Sequence, residues 1–280
     1  MSEVNAKAVI DYYDECWIKR FEKGHNAESL AMHLGYFNEN HLSNDSAKIR
    51  TNQFLADFLE IPQNRRVNVL DIGCGIGGTC FYLAEQYSLI EAHGINLSGT
   101  QIEFADQIRH KRNLSDRVKF SIKDYSYTEL PDNNFDFVFG VESICHAFDK
   151  KKVYLESFRQ LKPQGWFGFM DYIEIRSPEN TMESQLLEDF KIGWAVPHYI
   201  INFKDDLESV GFTNVIEKSL TQHVMKGIEN SFNKAERLLN EIDQNQFSES
   251  YLAHLKACYA LKKLVELNII DYKCIKAQKP

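Results

Sequence analysis

Residues Val67-Asn68-Val69-Leu70-Asp71-Ile72-Gly73-Cys74-Gly75-Ile76-Gly77-Gly78 constrain this chain of 280 residues more than any other stretch. An apolar run of strand character meets an acidic residue and then a glycine-rich turn, and Thr79 to Gln86 behind it has helical character. A strand, tight turn and helix in that order bring backbone N–H groups and a helix N-terminus to the carboxyl end of a parallel strand, where open α/β sheets bind ligands. Glycine suits that turn because a residue without Cβ tolerates positive φ and lets a ligand approach the backbone. Gly73, Gly75 and Gly77 form Gly-x-Gly-x-Gly, while Gly78 adds a glycine at the dinucleotide spacing, so spacing alone leaves NAD open. Asp71 argues against it: a carboxylate two residues before the first glycine repels a pyrophosphate and attracts a cationic amine.

The chain then alternates in the βαβ manner to about residue 176. Strands are expected over 91–97, 118–123, 135–140 and 166–172. One helix opens at Ser98, and another closes at Pro163-Gln164-Gly165. Asn96, Asp124, Glu142, His146 and Asp171 all fall at or just past a strand's carboxyl end, where doubly wound sheets hold ligands. After Arg176 the pattern breaks into an amphipathic helix (182–194), a helix running into a strand (203–217), a polar helical stretch to about 267, and a last strand through 269–277. The expected organisation is an N-terminal helical segment 1–62, a core 63–176, a helical insertion 177–202, core again over 203–220, a second insertion 221–267, and a final strand in 268–280. The helical parts form the best candidate for a cap over the pocket.

With 44% hydrophobic and 26% charged residues the composition is that of a soluble globular protein. A net charge of −8 provides no global basic field for nucleic acid or an anionic membrane, so a diphosphate substrate would need a local cationic patch. The six cysteines show neither CxxC pairs nor the density of a disulfide scaffold, as expected of reduced thiols in the cytoplasm. No signal pattern opens the chain, and no apolar run approaches the roughly 18 residues of a membrane span. No His, Cys and Asp cluster has metal-ligand spacing, so no catalytic metal is expected. The expected partner is a small molecule rather than nucleic acid or membrane, and self-association to a homo-oligomer stays open.

The string Leu-Asp-Ile-Gly-Cys-Gly-x-Gly-Gly resembles motif I of class I S-adenosylmethionine (SAM) dependent methyltransferases. The resemblance covers about residues 60 to 175 and extends weakly to the tail at 276–280. It implies a Rossmann-like, doubly wound, seven-stranded and mostly parallel sheet with an antiparallel last strand and a helical cap. SAM would be the methyl donor, leaving S-adenosylhomocysteine, with Asp71, Gly73, Gly75 and Gly77 at the cofactor. That family's usual acidic residue at the end of the second strand is Asn96 here. Gly94-Ile95-Asn96-Leu97-Ser98 with Gln101 resembles the small-molecule branch that includes tocopherol methyltransferases, cyclopropane fatty acid synthases, the rebeccamycin sugar O-methyltransferase and phosphoethanolamine methyltransferases. The branch implies that Asn96 or Gln101 helps hold the ribose, that Asp124 accepts from the adenine amino group with Tyr125 beside the ring, and that Leu97 and Val141 complete the cofactor contacts. A turn role for Asp124 and a cap-neighbour role for Asn96 stay open.

Glu142-Ser143-Ile144-Cys145-His146 is similar to the Glu-Ser-Leu-His-His of the sugar enzyme. If the turn there is helical, the spacing of four places Glu142 and His146 on one face. A histidine that titrates near neutral pH can take the proton an acceptor loses as the methyl arrives. Asp171 matches the aspartate of Ala-Asp-Phe in the same enzyme and is expected to orient His146 or touch substrate. Tyr36, Trp194, His198 and Tyr199 are candidate pocket walls, although such residues more often serve in packing; His198 is a second acid or base candidate. The expected reaction is methyl transfer to a hydroxyl of a natural product. C-methylation of a prenyl or aromatic substrate, N-methylation of a small amine, and a SAM-binding pseudo-enzyme without turnover are the alternatives.

Overall fold

The computed structural model describes residues 7, 9–10, 13–14, 27–38, 43–197, 199–241 and 247–280. The first described helix is α1 (Asn44–Phe58). The core then runs β1 (Val67–Ile72), α2 (Gly78–Gln86), β2 (Ile90–Asn96), α3 (Gly99–Lys111), β3 (Val118–Ile122), β4 (Phe135–Val141), α4 (Lys150–Gln160) and β5 (Leu161–Glu174). Beyond it lie α5 (Thr181–Gly193), α6 (Phe203–Val210), β6 (Thr213–Ser219), α7 (Thr221–Glu241), α8 (Glu249–Glu266) and β7 (Ile270–Gln278).

One seven-stranded sheet has the order β3-β2-β1-β4-β5-β7-β6. Strands β1 to β5 pair in parallel, because helices carry the chain back between them. Strand β7 enters between β5 and β6 and is antiparallel to both. The reason is local: α7 and α8 form a helical hairpin that returns the chain to the end of the sheet where β6 finished. The fold is therefore the Rossmann-like one expected, with its last strand reversed.

Residues of β1 alternate between two cores. Val67 and Val69 join Leu59, Phe81, Phe139 and Met170 on one face, while Leu70 and Ile72 join Tyr154, Phe167, Leu207 and Phe212 on the other. A sheet covered on both faces explains why its central strand is apolar at nearly every position. Helix starts follow the hydroxyl and amide signals: Ser98 accepts from Gln101 N–H at α3, and Asn180 accepts from Glu183 N–H at α5.

The closing turn expected at Pro163-Gln164-Gly165 is instead an irregularity inside β5, with Gln164 at φ 66° and the pairing to β4 shifted between Phe135 and Phe137. Proline, which lacks a ladder donor, is tolerated at such a bulge. Of the N-terminal helix expected over 9–21, only Val9, Ile10, Tyr13 and Asp14 are described; Cys16 and His198 lie outside the described residues. Among the described residues, no helix is long and apolar enough to cross a membrane, and the five cysteines are buried free thiols.

Candidate active site

The glycine turn has the backbone its residues suggest, with φ of 81° at Gly73, 56° at Gly75 and 87° at Gly77. Gly73 and Cys74 N–H both donate to Ile95 O, which ties the turn to β2. Gly78 serves another purpose. A Cβ there would lie 2.6 Å from the carbonyl oxygens of both Ser29 and Leu30. The segment before α1 is thus packed directly against the start of α2.

A cavity of about 360 Å³ opens over this turn. At its base burial pushes the Asp71 carboxyl up to about 7, with the Cys80 thiol donating to it at 3.5 Å. Asn96 Nδ2 donates to Gln101 Oε1 at 2.6 Å, and Asn96 Oδ1 accepts from Leu97 N–H. Gln101 Nε2 is buried without a hydrogen-bond partner. Asp71, Gly73, Gly75, Asn96, Leu97, Gln101, Tyr125 and Val141 all line the cavity. A carboxylate for an ammonium, an orphaned amide donor, and left-handed glycines at 73 and 75 that leave backbone open on the cavity wall suit SAM.

Two cofactor candidates lie elsewhere. Gly77, whose Cβ would meet the Phe120 ring at 2.4 Å, serves close helix–sheet contact. Asp124 is off the cavity wall: its carboxylate accepts from Ser126 N–H in a turn closed by the bridge to Tyr127. Tyr125 lines the cavity, yet its hydroxyl donates to Ser143 O, so it also braces the following loop.

Glu142 and His146 both reach the cavity, though not on a helix face. Glu142 is left-handed at φ 49°, and only Ile144–His146 form a single 3₁₀ turn. The Glu142 carboxylate accepts from Leu34 N–H at 2.6 Å, Tyr272 O–H at 2.8 Å and Tyr172 O–H at 3.0 Å. Burial raises it to about 7. Three donors make it a clamp between the segment before α1, β5 and β7.

His146 Nδ1 lies 3.1 Å from Ala195 O and Nε2 lies 2.7 Å from Tyr13 Oη. A carbonyl can only accept, so Nδ1 carries the hydrogen and Nε2 accepts from the Tyr13 hydroxyl. Burial lowers His146 to about 4, leaving it neutral at pH 7.

Asp171 does not touch His146, contrary to the orienting role expected for it. It is fully buried and accepts from Cys145 N–H at 2.9 Å and Tyr172 N–H at 3.0 Å. Lys150 Nζ donates to the carbonyls of Cys145 and Ala147. Together they hold the backbone that presents His146.

Of the expected walls, Trp194 lines the cavity, and its buried indole N–H has no acceptor. Tyr36 stacks on His223 at 4.1 Å, and Tyr199 stacks on Phe190 while donating to Leu187 O, so both are packing residues away from the cavity. Tyr13, Met32, His33, Lys234, His254 and Cys258 line the cavity without having been singled out. Tyr13 sits in an aromatic-rich stretch, the one signal that could have drawn attention to it. Asp14 beside it accepts from Ser98 and Thr100 hydroxyls, so this segment spans both ends of the site. Among the described residues no group of three His, Cys, Asp or Glu side chains is arranged to hold a metal.

A family model described as a methyltransferase domain matches residues 63–210. The phosphoethanolamine N-methyltransferase 3 of Arabidopsis thaliana is 30% identical over 203 residues, 72% of this chain and 40% of that protein. The chain thus spans about two fifths of the length of that relative. The ajmaline N-methyltransferase of Rauvolfia serpentina is 32% identical over 55% of this chain and 54% of its own. In fold, a cyclopropane synthase of Mycobacterium tuberculosis superposes with TM-score 0.81 over 98% of both chains at 16% identity.

Proposed function

We propose, from the premise that this chain belongs to the class I SAM-dependent methyltransferases, that it methylates a hydroxyl of a small molecule, with His146 receiving the proton through Tyr13. The observation that carries this reading is the 2.7 Å contact between Tyr13 Oη and His146 Nε2, inside the cavity that also holds Asp71, Asn96 and Gln101. SAM supplies a methyl group made electrophilic by its sulfonium, so alignment and exclusion of water provide much of the rate. Asp71 is the carboxylate for the ammonium of the amino-acid moiety, and Asn96 with Gln101 serves the ribose diol. The Tyr13 oxygen accepts from the incoming hydroxyl. As that proton moves onto Tyr13, the phenolic proton moves onto Nε2, while the Ala195 carbonyl steadies the imidazolium from Nδ1.

The lowered basicity of His146, at about 4, favours a hydroxyl. Its proton becomes strongly acidic only as the methyl arrives, so a weak base suffices. An ammonium must lose its proton before nitrogen can attack, which such a base does poorly at neutral pH.

N-methylation of a small amine is the second reading. Relatives named for phosphoethanolamine and ajmaline N-methylation favour it, as does a cavity lined by both the Glu142 carboxylate and the Trp194 ring. The test is transfer from labelled SAM to a panel of hydroxyl and amine acceptors by the wild type and His146→Ala. Turnover should fall by about two to four powers of ten with SAM affinity retained. Near-normal turnover rejects the base, and a panel in which only amines are methylated selects the second reading.

A further inference from the structure

We infer that Gly193 is a positioning residue for His146: it seats the end of α5 directly on the backbone of α8, and this fixes the Ala195 carbonyl that decides which imidazole nitrogen can take a proton. The inference rests on His146 being the base.

Gly193 ends α5 with ordinary negative φ, so its glycine is not required by conformation. It is required by approach. A Cβ would lie 2.1 Å from Ala253 O and 2.6 Å from Ala257 Cβ on α8. The first obstacle is backbone, which no side-chain rotation relieves. The helix then closes in a Schellman arrangement: Ala195 N–H donates to Ile192 O and Val196 N–H to Lys191 O, with Ala195 left-handed at φ 52°. Glycine is usual at that position; here an alanine is held there against its preference. Trp194, between the two, is gripped by the rings of Tyr172 at 5.2 Å and His254 at 6.4 Å.

The Ala195 carbonyl is therefore set by a helix end with a rigid seat, and His146 Nδ1 lies 3.1 Å from it. If α5 lifts from α8, the carbonyl moves away from the ring. The imidazole is then free to carry its hydrogen on Nε2, where it can no longer accept from Tyr13. Asp171 and Lys150 cannot substitute, because their hydrogen bonds go to the backbone around His146 and not to its ring nitrogens.

The experiment is nitrogen-15 NMR of the histidine-labelled 280-residue chain at pH 7, with turnover and SAM affinity measured on the same samples. In the wild type His146 should be protonated on Nδ1 and bare on Nε2. Gly193→Ala should lose that single tautomer and about a hundredfold in turnover, with SAM affinity within about twofold of wild type. The milder Ala257→Val crowds the same seat through a side chain; should Gly193→Ala fail to fold, it must give the same spectral change with a smaller loss. A wild-type ring protonated on Nε2 overturns the inference, as does a folded variant at this seat with wild-type tautomer and turnover. His146→Ala separates the two readings: if it abolishes turnover while the seat variants are normal, only the seat is wrong, and if it is active the base itself is wrong.

Discussion

The two ends of the cavity are built differently. At the cofactor end Asp71, Gly73, Gly75, Asn96 and Gln101 come from two short stretches, each of which folds its own strand, turn and helix. At the acceptor end every functional contact bridges distant segments. His146 meets Tyr13 across 133 residues and Ala195 across 49, while Glu142 meets Leu34 across 108 and Tyr272 across 130. If the proposed roles hold, donor recognition is a local property of the β1–β2 framework, whereas acceptor chemistry depends on how segments remote in the chain pack over it. Changes at the first end should move SAM affinity, and changes at the second should move turnover.

The sharpest way to break that division is Tyr13→Phe. It removes the hydroxyl that joins the acceptor to His146, so turnover should drop by about two powers of ten while calorimetry gives an unchanged SAM affinity. A loss of SAM affinity instead would mean that the Tyr13 hydroxyl itself serves the donor end. The converse is Gly75→Val, which forces a β-branched residue into a left-handed position, φ 56°, on the cavity wall. SAM affinity should weaken by at least about tenfold to a hundredfold, and turnover at saturating SAM should be closer to normal than affinity is.

Glu142→Gln sharpens the view of Glu142 as a clamp. Its carboxylate accepts from three donors on separate segments; an amide oxygen can keep Leu34 N–H and Tyr272 O–H, but the bond to Tyr172 must reverse and all three lose the charge of the acceptor. Thermal denaturation should show a loss of about 1–3 kcal/mol. Unchanged stability would argue that the carboxylate is held for chemistry.

The smallest effect is with pH. Burial holds Asp71 up at about 7, so below that pH the SAM-free protein has a neutral carboxyl facing the ammonium. SAM affinity should rise between pH 6 and 8, by at most about tenfold per unit below 7, and level off above. Asp71→Asn should flatten that rise; an equal rise in the variant would assign it to another group, such as Glu142.

The fold was largely legible because its signals are periodic and short-range. The apolar run of β1 reports a strand covered on both faces, and Ser98 announces a helix start. Pro163 misled because proline and glycine punctuate a turn and a bulge alike. The contacts of Asp171 were not legible, since its partners, Cys145 N–H and Tyr172 N–H, are backbone groups present in any sequence. Tyr36 and Tyr199 could not be told from Trp194, because an aromatic ring serves a core and a pocket equally well until its neighbours are known.

By itself the sequence determined the framework and the donor: Asp71 and the glycines act through backbone conformation and charge, which are encoded within a few residues. Only the tertiary structure decided the rest. That Gly78 admits the Ser29 and Leu30 carbonyls, that Tyr13 rather than Asp171 faces His146, and that Gly193 seats α5 on α8 all depend on contacts between segments remote in the chain. Such contacts are set by the summed geometry of the sheet and its cap, and no local spacing carries that information.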